Sequence, residues 1–200
     1  KTITRNGDKT KVPFGIDGKP AKSNDTSTWS GFDDVVGTFN EGGYTGIGFM
    51  FQESDPFCGI DLDGCRNPDT GEVAPWAKEI ILQLDSYAEV SPSLTGVKLF
   101  VIGKNPANSG KKKQVEIEIA YGKEAAIEMY DRLRYFAVTG WKLRGPAEPQ
   151  KRQEQITALS EKFFPVASSA APNFYSADAI VDRARKYVAK IPPAVSGQGG

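Results

Sequence analysis

Histidine is absent from this 200-residue chain. Its absence removes the side chain that most often acts as general base near neutral pH, and the commonest transition-metal ligand. Ser-His-Asp and Cys-His mechanisms are excluded with it. Cysteine is scarce: Cys58 and Cys65 are the only two. Two thiolates without an imidazole do not complete an ordinary four-ligand zinc site, and one pair makes no disulfide framework. Both read as buried or half-buried thiols in a reducing compartment. No apolar run reaches membrane-spanning length, and none reads as a signal peptide. Net charge is missing too, because 25 basic residues balance 25 acidic ones. Contact with nucleic acid must then come from a local patch. Lys111-Lys112-Lys113, with Lys104 nearby, is the candidate, and a solvated loop is the alternative.

What remains is ordinary for a globular protein: 39% hydrophobic and 25% charged residues, enough chain for one domain with a real core. Residues 1–28 read as an extended, polar lead-in. Ser30-Gly31-Phe32-Asp33 resembles a capping box, and Phe32, Val35, Val36 and Phe39 follow at helical spacing until Gly42-Gly43 stops the helix. Ile47 to Phe51 reads as a strand, as does the run ending in Asp63. Asn67 to Gly71 is a turn cluster. Pro75 opens a second helix, with Trp76, Ile80, Ile81 and Leu84 on its apolar face. Strands are expected at 87–90, 97–102, 115–119, 126–130 and 135–139, the last two joined by a tight turn. Gln150 to Phe164 reads as helical, 167–173 as a small-residue linker, and a last helix starts at Ser176. Trp29 and Trp76 are expected in the core. Helices and strands do not alternate regularly, which predicts an α+β fold whose central sheet is mixed or antiparallel and flanked by helices.

The most informative residues are Asp61 and Asp63, at the end of the apolar run Phe57-Cys58-Gly59-Ile60-Asp61-Leu62-Asp63. Alternate strand residues share a face, so both carboxylates point the same way. Two like charges that close are costly unless a cation lies between them. Oxygen ligands suit Mg²⁺ or Mn²⁺. A third carboxylate on a neighbouring strand would complete a cage for the paired metals of phosphoryl-type transfer. Glu128 is the candidate; Glu116 and Glu118 are rivals whose alternation fits an exposed strand face. Ser91, Ser93, Thr95 and Gly96 offer hydroxyls and N–H groups to phosphate oxygens, or form a plain Ser-Pro turn. Arg134 either meets a triphosphate or template, or pairs with Asp131 on the surface; Asp131 itself reads as a turn cap. Tyr130, Tyr135, Phe136 and Trp141 suit base stacking or the core.

Gly59-Ile60-Asp61-Leu62-Asp63, Ser91-Pro92-Ser93-Leu94-Thr95-Gly96-Val97-Lys98 and Ile127-Glu128-Met129-Tyr130 resemble, in this order, the three motifs of the archaeo-eukaryotic primase superfamily. More narrowly, they are similar to the primase-polymerase domains of phages, plasmids and mobile elements. Arg134-Tyr135-Phe136 and Val138-Thr139-Gly140 resemble the segment after the third motif. The resemblance covers roughly residues 10–145. It implies a primase-polymerase fold over 1–145, a helical extension over 146–190 and a linker over 191–200 to a further primase C-terminal or helicase region. It implies a DNA-directed nucleotidyltransferase of a replication protein, with Asp61, Asp63 and Glu128 holding two Mg²⁺ or Mn²⁺ ions. Lys98, Ser91, Ser93, Thr95, Gly96 and Arg134 would bind the nucleotide. Single-stranded DNA and NTPs or dNTPs are the implied partners, in the cytoplasm of a prokaryotic host, with no membrane. Three positions depart from the pattern. Lys98 stands where the family usually has histidine, and Leu94 and Leu133 where it often has glycine. The missing histidine leaves a second reading open, a non-catalytic nucleotide- or DNA-binding module serving a helicase region. A metal-dependent nuclease is a third.

Overall fold

The computed structural model describes residues 1–5, 7–107, 111–115, 121, 124–143, 145–165 and 181. The chain divides into two compact units, Lys1–Pro165 and Val166–Gly200. Val115 lies just past a strand at Lys111–Gln114 instead of opening one, and the rest of the strand expected at 115–119, the linker at 167–173, the helix from Ser176 and the 191–200 tail lie outside the described residues.

In chain order the elements are β1 (Thr2–Arg5), β2 (Asp8–Lys11), α1 (Phe32–Glu41), β3 (Ile47–Phe51), β4 (Phe57–Asp63), α2 (Pro75–Leu84), β5 (Tyr87–Val90), β6 (Val97–Ile102), β7 (Lys111–Gln114), β8 (Ala126–Tyr130), β9 (Arg134–Val138), β10 (Gln150–Lys151) and α3 (Gln153–Phe163). Strand β4 is the middle of the main sheet, antiparallel to β6 on one side and to β8 on the other. β7 lies beyond β8. The far edge of β6 takes β5 antiparallel and then β10 parallel. The fold is α+β with a mixed, mainly antiparallel sheet, as the sequence predicts. No described helix is long and apolar enough to cross a membrane.

Because side chains alternate along β4, its two faces meet different layers. Cys58, Ile60 and Leu62 point to one face with Leu99, Val101, Ile127 and Met129, where Ala77, Ile80 and Leu84 of α2 and Ile156 and Leu159 of α3 cover them. Burying each large aliphatic here contributes about 1.5–3 kcal/mol. Both cysteines are free and fully buried, as expected. The opposite face carries Phe57, Gly59, Asp61 and Asp63. Over it lies a separate two-stranded ribbon of β3 and β9, whose Phe51 and Phe136 pack with Phe100 of β6. Gly59 makes room for them: a Cβ there would lie 2.4 Å from Phe51 and 2.5 Å from Phe136.

Several local expectations change. β8 and β9 do not form a hairpin with each other; β9 pairs with β3, because the aromatic pairs across that ribbon have a floor at Gly59 to pack on. Thr2–Arg5 and Asp8–Lys11 pair as antiparallel strands β1 and β2 rather than forming an extended lead-in. Ser30 does not cap α1; Gly31 is the cap residue and makes no side-chain cap bond. Gln150 and Lys151 extend the sheet before α3 begins, so the helix is shorter than its periodicity suggests. Trp29 and Trp76 are half-buried, not fully internal. Pro75 does open α2, and the Asn67 side chain closes its turn by accepting the Asp69 and Thr70 N–H groups.

Leu94 and Leu133 both hold left-handed backbone, at φ 66° and 53°. A Cβ makes that conformation cost about 1–2 kcal/mol, which is why glycine suits such turns. Two substitutions with opposite signs follow. Leu94→Gly should raise stability by up to about 1 kcal/mol, less what the freer unfolded chain takes back. Gly59→Ala should lower it by about 1–3 kcal/mol through overpacking. Urea unfolding monitored by circular dichroism measures both, and a destabilised Leu94→Gly would refute the strain at that turn.

Candidate active site

Register, not sequence proximity, assembles the site. Asp61 is the Cα partner of Lys98 on β6 and of Glu128 on β8. Lys98 in turn is opposite Glu89 on β5, and Glu128 is opposite Lys112 on β7. Directly paired residues share a face. A single row of five charged residues, Glu89-Lys98-Asp61-Glu128-Lys112, therefore crosses the sheet. Asp63 lies one strand repeat further along β4, on the same face.

The row is largely paired internally. The Lys98 ammonium contacts Asp61 Oδ2 and sits 4.3 Å from the centre of the Phe136 ring, a cation–π position. Both residues are buried, Lys98 to 6% and Asp61 to 8% exposure. Glu128 uses both oxygens: Oε1 takes Lys112 Nζ at 2.8 Å and Oε2 takes Arg134 Nη2 at 3.0 Å. The Arg134 guanidinium lies 4.7 Å from the Tyr130 ring centre. Burial works to raise the Glu128 carboxyl, but the Lys112 hydrogen bond and the charges of Arg134 and Lys112 outweigh it and hold it below its ordinary value. Asp61 is the reverse case. Burial pushes its carboxyl up, and Lys98 only partly offsets that.

One atom in the row stands out. Asp61 Oδ1 is buried and has no hydrogen-bond partner among the described residues, although buried carboxylate oxygens are normally satisfied. It is the donor a bound cation would satisfy. Asp63 is half-exposed and makes no ion pair among the described residues. These two carboxylates fit one divalent cation. Among the described residues no group of three or more metal-ligating side chains is placed to hold an ion.

The turn between β5 and β6 stands beside Asp63. Ser91 donates its N–H to Gly96 O at 2.9 Å, and Leu94 to Ser91 O at 2.9 Å. The Ser91, Ser93 and Thr95 hydroxyls link in a chain, at 2.9 and 3.0 Å. Arg66 braces the turn through Leu94 O at 2.8 Å. Gly96 fits because a Cβ there would lie 2.7 Å from Leu62 O.

The structure thus brings together Asp61, Asp63, Lys98, Glu128 and Arg134, with the Ser91–Gly96 turn alongside. Arg134 pairs with Glu128 and not with Asp131. Asp131 is buried, accepts the Asn105 N–H at 3.1 Å and holds Arg132 at 2.9 Å. Lys112 is not simply part of a solvated patch, because it serves Glu128, and Lys104 is bound to the Glu53 and Asp55 carbonyls. Phe136 is core, whereas Trp141 is 55% exposed. Sequence reasoning missed Glu89. It is fully buried, accepts the Thr139 and Gly140 N–H groups at 2.9 and 3.1 Å and is reached by the Tyr87 hydroxyl at 3.0 Å. Its only signal was a lone acid in the apolar strand Tyr87-Ala88-Glu89-Val90.

No family model matches this chain. The protein named DNA Primase-polymerase from Nitratiruptor phage NrS-1 is 32% identical to it over 132 residues. The matched stretch is 66% of this chain and 18% of that protein, so the chain spans less than a fifth of its relative's length. The kinship with primase-polymerase domains read from the three motifs is shown by this match.

The Glu128 pairing has a pH signature. Its stabilisation is complete above the ordinary carboxyl value of 4.5 and is lost as pH falls through the depressed value of the folded state. Lys112→Met removes the first cause of the depression. The Glu128 carboxyl resonance should then titrate at higher pH, and acid unfolding should begin at higher pH than in wild type. Coincident titration curves for the two proteins would show that Lys112 does not hold Glu128.

Proposed function

We propose that this chain, a relative of a phage primase-polymerase, is a nucleotidyl-transfer domain that adds nucleotides to DNA on a single-stranded template. The observation that carries the reading is the buried, unsatisfied Asp61 Oδ1, in register with Glu128 and on one face with Asp63. Asp61 and Asp63 would hold Mg²⁺ or Mn²⁺, whose chemistry there is to neutralise triphosphate charge and acidify the attacking 3′-hydroxyl.

The chain's own residues supply the rest. Lys112 and Arg134 keep Glu128 ionised while their half-exposed heads retain donors for phosphate oxygens. The Ser93 and Thr95 hydroxyls form the wall of the phosphate path, and Gly96 lets that wall approach Asp63. The Trp141 ring offers a stacking surface for a template base. With no imidazole present, no protein side chain takes the 3′-hydroxyl proton as histidine would. In a full-length protein the domain would act beside a helicase or primase C-terminal region, in the cytoplasm of a prokaryotic host.

One observation favours a second reading. The Lys98–Asp61 contact occupies a carboxylate that chemistry needs, which suits a module that binds nucleotide or DNA without reacting.

A gel assay with single-stranded template, with and without primer, all NTPs and dNTPs, and Mn²⁺ or Mg²⁺, separates the readings. Wild type should extend, and Asp61→Ala should lose at least about a hundredfold in rate, the several kcal/mol expected of a cation-holding carboxylate. Arg134→Ala should raise KM for nucleotide about tenfold, the loss of one charge-assisted hydrogen bond. Bound but unchanged DNA from folded wild type favours the second reading, and shortened DNA favours a nuclease.

A further inference from the structure

We propose that the Lys98 ammonium fills one of the two cation positions of this site, leaving a single divalent-cation site formed by Asp61 Oδ1 and Asp63. The inference rests on the nucleotidyl-transfer reading for its biological sense, but its geometry stands without it.

Lys98 is placed as a cation and not as a surface residue. It lies directly opposite Asp61 in the β4–β6 ladder, so backbone pairing fixes its base. Its head is held on one side by Asp61 Oδ2 and on another by the Phe136 ring. Phe136 is itself locked against Phe51 and Phe100. Oδ2 is neutralised by that ammonium, and a divalent cation placed on the same oxygen would meet the repulsion of the Lys98 charge. Oδ1 is buried and unspent.

The neighbouring carboxylate is charge-paired as well. Glu128 gives one oxygen to Lys112 and the other to Arg134. The local charge is nearly balanced before any metal arrives. Glu89, Asp61, Asp63 and Glu128 face Lys98, Lys112 and Arg134, and Glu89 is already stabilised by two backbone N–H groups and the Tyr87 hydroxyl. One divalent cation more than offsets the remaining negative charge. Two would leave a strong positive excess in a partly buried site. The Lys98 ammonium compensates Asp61, as a neutral imidazole would not, and one metal then suffices.

The test is a Mn²⁺ titration of the whole chain, with free Mn²⁺ read by electron paramagnetic resonance and thermal melting followed in parallel. Wild type should bind one Mn²⁺, and Asp63→Asn should weaken that binding at least tenfold while remaining folded. Lys98→Met frees Oδ2. It should melt lower than wild type in EDTA, bind two Mn²⁺, and recover more melting temperature on Mn²⁺ addition than wild type gains. Lys98→Arg, which keeps the charge, should stay at one. If Lys98→Met is unfolded in EDTA, folding on Mn²⁺ addition supports the proposal and failure to fold overturns it. None or two Mn²⁺ on wild type overturns it, as does a Lys98→Met protein that stays at one and is not rescued. These outcomes separate from the activity reading. A wild type that binds one Mn²⁺ yet extends no primer would sink the polymerase reading alone, and an active wild type with two Mn²⁺ would sink this one alone.

Discussion

The register of β4 against its two neighbours is the constraint on which the rest depends. Asp61, Lys98 and Glu128 come from segments far apart in the chain and meet because each is the ladder partner of the next. A slip of one residue in either pairing would turn a whole strand's side chains to the opposite face. The charges would then enter the helix-covered core and the aliphatics would face the ribbon. The cost of burying unpaired charge makes any such register untenable, so the apolar face defends the polar one.

The two faces also divide labour. The side under α2 and α3 is aliphatic and closed. The other is half covered by an aromatic ribbon and half open to the charged row. Gly59 marks the division, because its missing side chain lets Phe51 and Phe136 descend onto the sheet. That descent brings the Phe136 ring under the Lys98 ammonium. A backbone position with no functional group of its own thus sets where a charge can rest.

Much of this was legible in the chain. The alternation around Asp61 and Asp63 gave their shared face, Pro75 gave the start of α2, and the turn residues gave the β5–β6 hairpin. The departures at Leu94 and Leu133 pointed to positions where the backbone is left-handed. What was hidden is non-local. Strands β8 and β9 are neighbours in sequence, and only the packing of Phe51 and Phe136 over Gly59 explains why β9 leaves for β3. Glu89 read as an ordinary strand residue because its partners, the Thr139 and Gly140 amides, lie about fifty residues away. Lys112 read as part of a basic patch or a solvated loop because its partner is on another strand.

The two thiols carry a practical consequence. Cys58 and Cys65 are sealed under the helices, and burial pushes the Cys65 thiol up to about 12 and Cys58 higher still. An alkylating reagent attacks thiolate and needs access, so the native chain is inert to it. Cys58 is the second residue of β4 and Cys65 lies just beyond that strand's far end, so each reacts only when its own part of the sheet opens. The pair is a built-in clock: the difference between their labelling rates reports whether β4 frays from its carboxylate end or parts from its neighbours as a unit.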